Sequence, residues 1–138
     1  MNKNKGLTLM ELTIVLAILA IISAVLIPVF LLTTDRARLR GDIQSARVIQ
    51  NAIDLYRTER RQPVPGSPNV NTMVGNLAAA GYINPRNVAI QTEEASWIIT
   101  AGFGVMVDIT NSPDEVHRAH ASLPIDEQQY VHGGNSNR

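Results

Sequence analysis

Between Glu11 and Asp35 the chain carries no charged residue. The 23 residues Leu12–Thr34 would span roughly 34 Å as an α-helix, at about 1.5 Å per residue. A bilayer's hydrocarbon core is roughly 30 Å thick, so one crossing fits. Thr13 and Ser23 are the polar side chains before Leu32, and each hydroxyl can bond the carbonyl one turn back. The rest of the chain is too small to wrap such a rod on all sides, which argues against a buried core helix. A cleaved secretory signal also fits poorly. The apolar run exceeds the usual length, and Pro28–Leu32 offers no small-x-small cleavage site. Lys3 and Lys5 favour retention of the N-terminal end on the cytoplasmic side, although Arg36, Arg38 and Arg40 soften that asymmetry.

Composition then separates into two parts. Of the 21 residues Leu12–Leu32, 18 are apolar, whereas the chain as a whole is 45% hydrophobic. Twelve basic and twelve acidic side chains balance, which excludes a strongly basic nucleic-acid-coating surface as the default. With no cysteine there is no disulfide framework, thiolate nucleophile or cysteine metal site. No nucleophile–base–orienter set and no phosphate loop is visible, so an enzyme is not expected.

Glu11 opens the apolar run, where a carboxylate is costly in lipid. Its helix N-terminus alone could favour it. The alternative is a positive partner, and the residues before it suggest one. Lys3, Lys5 and Gly6, then Leu7-Thr8-Leu9-Met10-Glu11, then the apolar run and Pro28, resemble the N-terminus of type IV pilins and of type II secretion and competence pseudopilins. Leu7 stands where Phe is more usual.

The resemblance implies an α+β type IV pilin fold. In it a long N-terminal helix, half transmembrane and half amphipathic, packs on a small antiparallel sheet. It implies a leader over residues 1–6, a transmembrane assembly helix over 7–34 and a periplasmic or extracellular head over 35–138. A prepilin peptidase would cut after Gly6 and methylate the amine of Leu7. Glu11 would pair with a neighbour's N-terminal amine in a homo-oligomeric helical filament, and Pro28 would loosen the helix locally near Ser23–Val25. An inner-membrane assembly platform and minor pilins would be the other partners. The chain would sit as a single-pass protein in the inner or plasma membrane before joining a periplasmic or surface filament. A pilus subunit is favoured narrowly over a pseudopilin. A membrane-anchored binding protein is the reading from a different class.

Beyond the apolar run, Leu39, Ile43, Ala46, Ile49 or Gln50, Ile53 and Tyr56 recur at helical spacing, with Val48, Ala52 and Leu55 widening the stripe. Arg36, Arg40, Asp42, Arg47, Asp54, Arg57 and Glu59 are assigned to the solvated side. Pro63, Pro65 and Pro68 end the helix after Arg60. The group Arg57, Arg60 and Arg61 reads first as a solvated helix end, with a contact to DNA or lipid headgroups as the weaker alternative.

A short helix over 71–80 should bury Met73, Leu77 and the alanine run Ala78–Ala80, and Gly81 should cap it. Residues 88–90, 96–100 and 103–109 read as strands, with Ala101-Gly102 as a tight hairpin and Trp97 as a core anchor. Ser112-Pro113-Asp114-Glu115 reads as a helix start with Ser112 as the cap. His117, His120 and Asp114 share a helix face but lack a fourth zinc ligand. By family resemblance, Asp108, Asp114 and Asp126 are weak calcium candidates, without a recognisable acidic loop; no other cofactor is expected. Residues 130–138 read as a loosely packed tail.

Overall fold

The computed structural model describes residues 8–134. The Gly6–Leu7 junction and the last four residues lie outside the described residues. The chain divides into two units, Met1–Leu31 and Leu32–Arg138.

Helix α1 is assigned to Leu9–Arg60 and runs through Pro28, whose missing N–H leaves the carbonyl one turn back without its helical donor. In the second unit, its buried stripe is Leu39, Ile43, Ala46, Ile49, Ala52 and Ile53. Ile49 takes the core position. Gln50 is half-buried, and its Oε1 accepts the Val105 N–H at 3.1 Å. Val48 and Leu55 do not widen the stripe; both are exposed. At about 100° per residue they fall on the side of the helix opposite Ala46 and Ile53.

Asp42 is the larger correction. It is fully buried rather than solvated. Its carboxylate accepts the N–H of Gln91 at 2.9 Å and of Thr92 at 2.8 Å. The same angular count places it between Leu39 and Ile49, inside the buried sector.

Helix α2 covers Val70–Ala79, with the Asn69 side chain accepting from Thr72 N–H. Val70, Met73 and Leu77 face the core, while Ala79 and Ala80 are exposed, contrary to the expected inward run. Gly81 adopts φ +82°, and the bonds Gly81 N–H to Ala78 O and Tyr82 N–H to Leu77 O close the helix as a Schellman motif. Pro85–Val88 then forms a 3₁₀ turn capped by Asn84, so residues 88–90 are not a strand. Val88 still reaches the core.

The sheet is mixed rather than purely antiparallel. Strand β1 (Ser96–Thr100) pairs antiparallel with β2 (Gly104–Asp108), in register from Ser96↔Asp108 to Thr100↔Gly104. A three-residue loop, 101–103, joins them and leaves Phe103 outside the strand. β2 also pairs in parallel with β3 (Val131–His132), Val107 opposite Val131. A parallel neighbour requires a long crossover. Here the crossover carries α3 (Asp114–Ala121) and α4 (Ile125–Gln128). The expected loose tail is therefore tied down at its start, with Val107 N–H bonded to Tyr130 O and Ile109 N–H to His132 O.

As the central strand, β2 buries three consecutive residues, Val105, Met106 and Val107. Trp97 is partly buried at the edge of the core formed by α1, α2 and the sheet. Ser112 does not cap α3. It is buried, and its hydroxyl donates to Glu93 O at 2.8 Å. Pro113 occupies the cap position, so no side chain satisfies the first N–H groups there.

Candidate functional site

The N-terminal segment begins with a reciprocal capping box. Thr8 N–H donates to Glu11 Oε2 at 2.8 Å and its hydroxyl donates to the same oxygen at 3.0 Å. Glu11 N–H in turn donates to Thr8 Oγ1 at 3.2 Å. The Thr-x-x-Glu spacing places the carboxylate at the third helical position, where it satisfies otherwise free backbone donors. The sequence reading assigns no role to Thr8. Its spacing from Glu11 was the available signal.

Every residue from 8 to 31 is exposed, including large side chains such as Leu9, Ile21, Val25 and Phe30. Thr13 Oγ1 donates to Leu9 O, and Ser23 Oγ to Leu19 O, each at 2.7 Å. From Leu12 to Leu31 the helix thus satisfies its own hydroxyls and presents a hydrocarbon surface. Fully burying one large aliphatic side chain contributes about 1.5–3 kcal/mol, so covering this surface is worth on the order of tens of kcal/mol. A surface of that size requires lipid or other helices. Helix α1 has the length and composition to cross a membrane. Pro28 lies within this exposed stretch.

The basic residues that follow are engaged with the second unit. Arg40 pairs with Glu127 at 2.8 Å, Arg38 with Asp35 at 3.6 Å, and Arg36 Nε donates to Ser122 Oγ at 2.9 Å.

The three acidic calcium candidates do not gather. Asp108 Oδ1 accepts from Thr110 N–H at 3.0 Å and from the Thr110 hydroxyl, and lies 3.3 Å from His132 Nδ1. Burial pushes the Asp108 carboxyl up, but the Thr110 and His132 contacts outweigh it and hold it below the usual carboxylate value. Asp114 lies in the first turn of α3 and Asp126 in the first turn of α4. Among the described residues, no three His, Asp or Glu side chains form a metal-binding group.

Residues 1–27 match the family model described as the prokaryotic N-terminal methylation motif. The N-terminal segment is therefore similar to that motif. Over 58 residues the chain is 41% identical to a Clostridium perfringens (strain 13 / Type A) protein named prepilin peptidase-dependent protein A. That match spans 42% of this chain and 41% of the relative's own length. No solved structure matches the chain significantly. The matched motif ends inside the exposed apolar helix, so the similarity and the lipid-seeking surface belong to one segment of the chain.

Proposed function

We propose that this chain is a structural subunit of a type IV pilus or pilus-like filament, cut after Gly6 by a prepilin peptidase and methylated on the new amine of Leu7. The observation that carries the reading is the methylation motif running directly into a helix whose residues 8–31 are all exposed. The relative's dependence on a prepilin peptidase, given in its name, supports the processing step.

Cleavage creates a cation at a helix N-terminus, which the helix dipole disfavours. A carboxylate from an adjoining subunit compensates that charge where water is excluded. Because both ions are desolvated, the pair serves axial register more than stability. Glu11 is the carboxylate at that depth, and within one chain its capping box with Thr8 holds it at the helix start. Before assembly the helix anchors the subunit in the inner or plasma membrane. An assembly platform and minor pilins then direct it into the filament, and Pro28 lets the helix yield as it leaves lipid. A pseudopilin of a secretion or competence system would use the same segment, and the cysteine-free head fits it as well.

The test is electron microscopy of sheared cell-surface fractions. The native chain should yield fibres; Glu11→Ala should insert in the membrane and yield none. Normal fibres from Glu11→Ala would sink the register role. Long fibres indicate a pilus, and short ones confined to the envelope a pseudopilus.

A further inference from the structure

Among the described residues of the second unit, the large exposed hydrophobics are Val48, Leu55, Phe103 and Ile125. The first two lie on α1. Phe103 and Ile125, 61% and 85% exposed, project from the β1–β2 loop and the start of α4.

Phe103 borders a cleft of about 480 Å³ shared with Arg47, Gln50, Asn51, Val105 and Tyr130. The guanidinium of Arg47 lies 4.4 Å over the Tyr130 ring. Its Nε is buried without a hydrogen-bond partner, and among the described residues Arg47 has no acidic partner. The residue as a whole is only half-buried, so its positive charge is open to a charge-assisted contact with an incoming carboxylate. Arg and Tyr are enriched where interface energy concentrates, and aromatic residues at interface cores.

Ile125 has the complementary character. It is an apolar knob followed directly by Asp126, which is exposed and has no basic partner among the described residues. The next acid, Glu127, is already paired with Arg40.

We infer that in the filament Ile125 of one copy seats in the Phe103–Tyr130 cleft of the next copy, with Asp126 pairing to Arg47. The inference rests on the filament reading and names a head-to-head contact within it. Knob and cleft are different patches, so the contact is heterologous. Repeated without closing, a heterologous contact generates an open helix.

The native chain has no cysteine, which makes disulfide trapping specific. Full-length protein carrying both Phe103→Cys and Ile125→Cys should, after filament assembly and oxidation, run as a ladder of reducible multimers. Either single variant should remain monomeric. Filaments without a ladder would overturn the docking and leave the filament reading standing. A ladder or dimer from one single variant would overturn the heterologous geometry. Failure of the unmodified chain to form filaments would overturn both.

Charge reversal gives an independent readout if the cysteine chain does not assemble. Arg47→Glu and Asp126→Arg should each lower filament yield about tenfold, the effect of about 1.4 kcal/mol per contact. The double reversal should restore it. No recovery in the double variant would overturn the pairing.

Discussion

At the scale of single residues, two carboxylates on the same helix do different work. Asp42 is fully buried and bonds two backbone N–H groups of the 91–92 segment, fixing that loop to α1. Asp42→Asn preserves shape but turns one acceptor into a donor facing an N–H. It should lower the unfolding free energy by about 1–3 kcal/mol, read by denaturant titration. Asp42→Ala, losing both bonds, should cost more. Glu11 has two candidate roles, helix cap and ionic partner, and one substitution separates them. Gln at this position keeps the capping box but removes the charge. Glu11→Gln should retain helix content yet fail to form filaments. Filaments from Glu11→Gln would reduce Glu11 to a cap.

At the scale of elements, helix ends and the C-terminal strand carry testable energetics. Gly81 holds φ +82°, and a Cβ there would meet nothing within 4 Å, so Gly81→Ala isolates backbone strain. About 1–2 kcal/mol of destabilisation is expected from denaturation midpoints. Gly104→Ala should cost more, because its φ of +81° is combined with a close approach to the Gln50 side chain.

Helix α3 contributes a pH response. Burial lowers the pKa of His120 from its ordinary 6.5; a hydrogen bond to the Gln128 backbone opposes that, and His117 adds to the lowering. The folded state then binds fewer protons than the unfolded chain below about pH 6.5. This stability is complete above that pH and is lost as pH falls toward the depressed value. Asp108, held below its ordinary 3.8, adds a second loss as pH falls below that value. Thermal melts should decline from pH 7 to 5, and His120→Leu should flatten that decline.

The sequence made α1, α2, the β1–β2 pair and α3 legible because each has a local signal: periodicity, a cap, or paired apolar runs. It concealed Asp42, because a carboxylate ordinarily faces water whereas its helical angle falls inside the buried sector. It also concealed β3, because a two-residue parallel strand is set by a distant partner, not by its own composition. The exposed helix and Glu11 were readable from charge alone. Thr8's part is written in its Thr-x-x-Glu spacing from Glu11, and the hydrogen bonds give it its role.

At the scale of the whole molecule, the apolar helix segment and the cored second unit call for different solvents. Full-length chain should partition with membranes and resist alkaline extraction. A chain starting at Leu32 should be recovered in the soluble fraction, with the near-ultraviolet dichroism of Trp97 retained. The net charge of 0 also belongs to the uncut chain. Cleavage after Gly6, as proposed, would remove Lys3 and Lys5 and leave 10 basic against 12 acidic side chains. The amine of Leu7 would then be the cation nearest to Glu11 along the chain. On the proposed reading, filament assembly depends on processing at that bond. Intact-mass and N-terminal fragment analysis of the chain purified from cells with an active prepilin peptidase tests it directly. The account predicts a product beginning at Leu7 and bearing one added methyl group. A mature chain that keeps residues 1–6, or one cut within the apolar helix, would contradict it.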